Sequence, residues 1–213
     1  MKRGFLAVVV SSVFLLAAAP AFAAGGYVGL EGGAVWLSES SFTVLGENIG
    51  DLKFDTGWSI GAVAGYDFGT WRLEGELAYR SSGAKEFTDA FGAGSSSLDG
   101  DVTSTAIMVN AFYDFKTLSP SVYPYIGVGI GGANVSADVK EAGLQVLDDS
   151  DFVFAYQFVA GVAFPVSKQL TIDLNYRYFA TTDPTFEISG LPGVTGDAEY
   201  ASHNAFLGLR YNF

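Results

Sequence analysis

The chain has 213 residues and a formal net charge of −12; it is 49% hydrophobic and 15% aromatic but only 16% charged. This composition excludes a disordered chain, which carries less apolar and aromatic bulk. The acidic balance argues against a nucleic-acid partner, because such proteins normally present a basic face. The chain has no cysteine, which excludes a disulfide-held domain, and its mean hydropathy of +0.29 is high for a soluble protein.

The first segment has the pattern of a cleaved signal peptide. Two basic residues open it, residues 5–19 form an apolar core, and Ala21 and Ala23 fit the small-x-small cleavage rule. The alternative is a membrane anchor, for which this core is short. We therefore expect residues 1–23 to be removed after export and residues 24–213 to form one domain.

The remaining sequence alternates between apolar and polar residues with a period of two, which is typical of β-strands. In residues 71–80, Trp71 and Leu73 share one face, and Arg72 and Glu74 share the opposite face. Eight such stretches are predicted, at about 27–37, 58–68, 71–80, 104–115, 123–134, 152–164, 170–178 and 204–213.

The connections between these stretches alternate in length. The short connections are 69–70, 116–121 and 165–168, and the long ones are about 38–54, 81–102, 135–151 and 180–199. Four long loops are unusual in a compact soluble domain, but membrane barrels have tight turns on one side and long loops on the other. The sequence therefore predicts an all-β fold, an eight-stranded antiparallel up-and-down transmembrane β-barrel.

The placement of the aromatic residues favours this barrel over a soluble one, in which the apolar face would point inward to a ligand. Aromatic side chains cluster at both ends of the apolar face, as in the interfacial belts of membrane barrels. Near the short turns they are Tyr66, Phe68, Trp71, Tyr113, Phe115, Tyr123, Phe164, Tyr211 and Phe213. Near the long loops they are Trp36, Trp58, Tyr79, Phe154 and Tyr178.

Four motifs, at residues 65–68, 123–132, 176–178 and 210–213, carry a resemblance to a known family. In their order and spacing the chain resembles the eight-stranded outer-membrane β-barrels, which include the OmpA transmembrane domain and OmpX-like and opacity-type proteins. The resemblance implies a place in the outer membrane of a Gram-negative-type envelope, in contact with outer-membrane lipid. It also implies that the outer-membrane assembly machinery reads the last strand through Leu207, Leu209, Tyr211 and Phe213.

Charged residues on the inward face are predicted to form a polar network inside the barrel, because buried charges must be paired and hydrogen-bonded. An ion path or gate through the same residues is the alternative. The predicted set is Glu31, Asp67, Arg72, Glu74, Glu76, Arg80, Asp114, Asp173, Arg177 and Arg210.

The long loops carry most of the remaining charge, since 17 of the 23 acidic residues lie in or beside them. We expect a solvated acidic surface that is available to an extracellular ligand or to cations. Residues 148–151 and 99–101 offer carboxylates for calcium, but neither has the EF-hand spacing. No cofactor or metal site is otherwise predicted, because the chain has one histidine and no cysteine.

A catalytic role is the least favoured interpretation. His203 and Ser202 are adjacent in the last strand, so their side chains point to opposite faces and do not form a nucleophile–base pair. Glu199 shares the face of His203 but lies four residues away. The sequence therefore predicts a structural or surface-contact protein, adhesin- or antigen-like. A narrow porin-like channel is the alternative, and a lipid-modifying enzyme is a third possibility.

Overall fold

The computed structural model describes residues 25–38, 40–44, 47–89, 95–116, 121–141, 144–187 and 195–213. The expected signal peptide and its cleavage site at Ala21 and Ala23 lie outside the described residues. Within these ranges, no helix has the length and apolar character needed to cross a membrane.

Eight long strands form a closed barrel. They are β1 (Gly26–Leu37), β4 (Gly57–Asp67), β5 (Trp71–Asp89), β6 (Ser95–Asp114), β7 (Tyr123–Glu141), β8 (Leu144–Pro165), β9 (Leu170–Thr181) and β12 (Ala201–Asn212). Each pairs antiparallel with its neighbours, and β1 pairs with both β4 and β12, so the barrel has no open edge. The predicted eight-stranded antiparallel barrel is confirmed.

The register of the strands fixes the geometry of the barrel. Paired residues can be followed around the barrel from strand to strand, beginning at Trp36 on β1. After the other seven strands, this path returns to β1 at Gly26, ten residues before its starting point. The barrel thus has eight strands and a shear of ten, which corresponds to a strand tilt of about 40°. Eight strands enclose a space that is just wide enough to be filled by side chains.

Four short strands lie at the long-loop end: β2 (Ser40–Val44), β3 (Glu47–Phe54), β10 (Thr185–Glu187) and β11 (Thr195–Ala198). Together with residues 84–89, 95–102, 135–141 and 144–153 of the long strands, they form what we term the β-extension. In it the strand order is β10-β11-β2-β3-β5-β6-β7-β8. The amide of Thr182, directly after β9, donates to the carbonyl oxygen of Phe154 at 2.9 Å and so extends the pairing of β9 with β8.

Several predicted strand ends are therefore wrong, because most described residues of the four predicted long loops belong to strands. The wall of the barrel continues past the predicted strand ends as further antiparallel pairs. Alternation does persist there, since Val135 and Ala137 point inward while Ser136 and Asp138 point outward. The alternation was difficult to recognise in the sequence, because the small and acidic residues that carry it are typical of loops as well as of a solvated strand face.

The interior contains two apolar clusters in addition to its charges. The larger cluster fills the β-extension and the adjoining end of the barrel, and its fully buried members are Ala84, Val102, Ala106, Met108, Ala133, Val135, Ala137, Val153, Ala155, Phe179, Phe186 and Tyr200. The smaller cluster lies near the short turns and contains Phe112, Tyr125, Val159 and Ala163. The charged residues described below begin beside Phe179 of the larger cluster and reach past Phe112 of the smaller cluster to the short-turn mouth.

The glycine-rich part of β7 faces a crowded interior. A Cβ atom at Gly131 would overlap the carbonyl oxygen of Ile107, and one at Gly129 would overlap the side chain of Asn110. These glycines let β6 and β7 approach closely at the level of the polar side chains.

Candidate functional site

Arg177, on β9, is the centre of the charged interior. Its Nη1 donates to Glu76 Oε1 at 2.6 Å and to Glu31 Oε1 at 3.0 Å, and its Nη2 donates to Glu31 Oε2 at 3.1 Å. Arg80 Nη2 lies 3.6 Å from the same Glu76 oxygen, and its guanidinium stacks on Phe179 at 4.0 Å. One guanidinium therefore holds two carboxylates from β1 and β5 across the lumen, the bidentate geometry for which arginine is suited.

A second group lies closer to the short turns. Arg72 Nε donates to both oxygens of Asp114, at 3.0 and 2.9 Å, and its guanidinium lies 4.5 Å above the ring of Phe112. The Tyr27 hydroxyl donates to Glu74 Oε2 at 2.9 Å. Ion pairing and stacking on aromatic rings together compensate the burial of these charges.

Arg210 and Asp173 form a third pair between β12 and β9. The Nε and Nη2 atoms of Arg210 donate to the two oxygens of Asp173, at 2.5 and 3.0 Å. Nine of the ten predicted interior residues are buried in this way.

Asp67 is the exception to this burial. Its side chain is 31% exposed at the short-turn mouth, where it accepts a hydrogen bond from Lys116 Nζ at 2.7 Å. Lys116 also lies 3.7 Å from Asp114, so this surface lysine joins the rim to the interior pairs.

Uncharged polar residues extend the network, and the sequence analysis did not single them out. Asn110 Nδ2 and Gln157 Nε2 each donate to Glu76 Oε2 at 2.8 Å. Asn204 Oδ1 accepts from Arg80 Nε at 3.3 Å. The sequence could have indicated these residues, because all of them occupy inward positions of the alternating pattern. A buried side-chain amide in a charged lumen requires a hydrogen-bonding partner.

The space left in this region is small. A cavity of about 20 Å³ lies among the side chains of Glu31, Arg72, Glu74, Asp173, Arg177 and Arg210, and it has room for about one water molecule. Above it, Phe179 and the rest of the larger apolar cluster fill the lumen. Tyr200, outside the strands, belongs to that cluster, and burial raises the pKa of its phenol above the usual value.

The structure separates His203 from Ser202. Ser202 is fully buried and points inward, whereas His203 lies on the outer face, where its Nδ1 is 2.5 Å from the Tyr176 hydroxyl. Among the described residues, the hydrogen bond of this imidazole is to Tyr176 and not to a serine or to the exposed Glu199.

Of the candidate calcium positions, Asp99 and Asp148 lie outside the residues whose side chains the structure describes. The carboxylate of Asp151 accepts a hydrogen bond from the Thr185 amide at 3.1 Å, which attaches β10 to β8. In the part of the chain with placed side chains, no three His, Cys, Asp or Glu residues converge as a metal-binding group.

Below the β-extension, the outer face of the barrel is apolar and exposed. Its mid-wall residues include Leu30, Ile60, Leu73, Val109, Val128, Ile130, Leu174 and Leu207. Exposed aromatic residues flank this apolar band at both ends. At the long-loop end they are Trp36, Trp58, Tyr79 and Phe154, and at the short-turn end they are Phe68, Trp71, Phe164, Tyr211 and Phe213. Such a surface is too large for a soluble monomer and matches the lipid-facing band of a membrane barrel.

Fold and surface together define a protein that spans a membrane as a closed β-barrel. The profile of the "Outer membrane protein beta-barrel domain" family matches residues 5–213, and the chain belongs to this family. It is accordingly a protein of the Gram-negative outer membrane.

Individual relatives agree with this assignment. The chain is 26% identical to the opacity protein opA65 of Neisseria gonorrhoeae over 188 residues, which cover 70% of this chain and 75% of the relative. Its fold is similar to the crystal structure of Neisserial surface protein A, with a TM-score of 0.52, 22% identity, and coverage of 89% of this chain and 97% of the other. The outer membrane protein OprG from Pseudomonas aeruginosa gives a TM-score of 0.60 at 15% identity, with the same two coverages of 89% and 97%.

Proposed function

We propose that this protein is a non-conducting, non-enzymatic scaffold that presents the β-extension as a rigid contact surface outside the cell. The observation that carries the proposal is the continuity of the β-extension with the barrel, because β5 to β8 run through both without a break. A surface built on such strands keeps its shape, so that little conformational entropy is lost when a partner binds to it.

The chemistry of that surface favours a positively charged partner. Asp101 and Asp138 are paired positions on β6 and β7, and both side chains are exposed. Asp51 and Asp197 are exposed on the same extension. Clustered like charges attract partners of opposite sign and speed their association. A basic surface on another cell or on the extracellular matrix is thus the class of partner that we propose.

Neutralising the Asp101–Asp138 pair tests this role. Cells that display the protein with both residues changed to asparagine are expected to bind surfaces coated with basic matrix peptides several-fold more weakly, and the salt dependence of binding should fall. The matched control changes Thr103 and Ser136 to asparagine, since these residues form the next outward-facing pair on the same strands. Equal binding by both variants would contradict the proposed role.

A narrow channel is the second candidate, favoured by the water-sized cavity among the charged side chains. Refolded protein, verified by the gel shift between unheated and boiled samples, is expected to give no discrete conductance steps in a planar bilayer. The reason is that Arg177 and Phe179 block the lumen at successive levels. Reproducible steps from demonstrably folded protein would establish a channel instead. If these conductance steps disappeared or changed in the Arg72→Ala/Arg177→Ala double variant, the ion path would pass through the charged interior network.

A further inference from the structure

The outer face near the long-loop end carries a histidine held between aromatic rings. His203 on β12 is the paired position of Trp36 on β1 and of Tyr178 on β9. Its ring stacks on Tyr176 with a centroid distance of 6.0 Å and an interplanar angle of 28°, and it lies 5.4 Å from the ring of Tyr178. Two tyrosines of β9 thus orient the imidazole on the lipid-facing wall, next to the paired position of Trp36 on β1.

The contact with Tyr176 determines which ring nitrogen remains available. A neutral imidazole has one donor and one acceptor nitrogen. We assign the Tyr176 hydroxyl as the donor to Nδ1, because a phenol is a stronger acid than the N–H of a neutral imidazole, and this assignment places the imidazole proton on Nε2. Within the described part of the chain, Nε2 has no hydrogen-bonding partner and no carboxylate contacts the ring. The site therefore presents an N–H donor, on a preoriented ring, to whatever surrounds the barrel.

The surroundings at this height are lipid headgroups. Trp36, Trp58, Tyr79 and Phe154 are exposed around the barrel at the level of His203. Such a belt marks the interface between hydrocarbon and headgroups. Phosphate oxygens are the strongest hydrogen-bond acceptors in that layer, and an ionised acceptor strengthens the bond.

We propose that His203, flanked by Trp36 and Tyr178 and oriented by Tyr176, binds a phosphate oxygen of an outer-leaflet lipid through Nε2–H. The occupant is a lipid phosphate rather than free phosphate, because the aromatic side chains around the imidazole offer contact area to a lipid chain and backbone. The site is independent of the proposed extracellular role and depends only on the position of the barrel in the membrane.

The test compares two micelles that share a dodecyl chain and differ in headgroup, namely dodecylphosphocholine and dodecyl maltoside. His203 is the only histidine of the chain, so in protein refolded without a histidine tag its imidazole signals are unambiguous in long-range proton–nitrogen NMR spectra. In dodecylphosphocholine we expect a downfield-shifted, slowly exchanging Hε2 proton and a single Nε2–H tautomer. In dodecyl maltoside the same proton should exchange rapidly and appear upfield.

The Tyr176→Phe variant removes the hydroxyl and should yield a mixture of tautomers in dodecyl maltoside, whereas the phosphate groups of dodecylphosphocholine should still favour the Nε2–H tautomer. The backbone amide spectrum reports that the barrel is intact. Identical His203 signals of the wild type in the two micelles would overturn the proposal. A shift produced in dodecyl maltoside by inorganic phosphate alone would also overturn it, because it would identify a site for the free ion rather than for a lipid.

Discussion

Replacing Arg177 with methionine should lower the free energy of unfolding by about 3–5 kcal/mol, the usual cost of leaving a buried charge without its partner. Glu31 and Glu76 are both buried and both accept hydrogen bonds from this guanidinium. Methionine retains the length of the side chain, so that the loss reflects charge rather than a cavity. The measurement is urea unfolding in lipid vesicles, followed by the gel shift of the folded barrel.

A surface ion pair supplies the matched control. Lys85 Nζ lies 3.2 Å from Asp55 Oδ1, and both side chains are about 60% exposed. The Lys85→Met substitution removes the same charge with the same new residue, and it should cost less than about 1 kcal/mol. Adding Glu31→Gln and Glu76→Gln to Arg177→Met should restore much of the lost stability. A loss of equal size for Lys85→Met and Arg177→Met would show that the interior pairs do not stabilise the fold.

Replacing Phe186 with alanine should destabilise the β-extension by about 3–5 kcal/mol while the barrel remains folded, since it deletes a buried aromatic side chain. Phe186 lies on the short strand β10 and is only 3% exposed within the larger apolar cluster. Intact cells that display this variant should lose the extension to added protease much faster than wild-type cells, because local opening becomes more frequent.

The control for this prediction is another phenylalanine of the β-extension. Phe152 is 68% exposed on the outer face of β8, and its replacement by alanine removes few contacts. Protease sensitivity should therefore stay close to that of the wild type. If both variants resisted protease equally, the apolar cluster would not be what holds β10 in place.

The strands within the membrane were predictable because one physical requirement acts on every residue there. Lipid outside and a crowded lumen inside impose opposite polarity on neighbouring positions, as in Trp71 and Arg72. The same alternation placed Glu31, Glu76 and Arg177 on the inward face. It did not specify which arginine would meet which carboxylate, because partners such as Arg177 and Glu31 are 146 positions apart in sequence.

The β-extension was missed because water replaces lipid on its outer face. Outward positions there carry serine, threonine and aspartate, and inward positions carry small apolar residues such as Ala84 and Ala137. The contrast between the two faces is weaker than in the membrane, and the acidic residues resemble those of turns. Phe186 and Tyr200 were the remaining signals, because large aromatic residues in a supposedly solvated loop require a place to be buried.

The uninterrupted strands between barrel and β-extension also limit how such a protein diversifies. Only every second residue of β6 and β7 faces outward, so Asp101 and Asp138 can change while Val102 and Ala137 must stay small and apolar. Inserting a single residue would exchange the two sets of side chains along the rest of that strand. Along the described parts of these strands, sequence change is thus easiest at alternate positions, and a change in length is easiest when it is made in pairs on both strands of a hairpin.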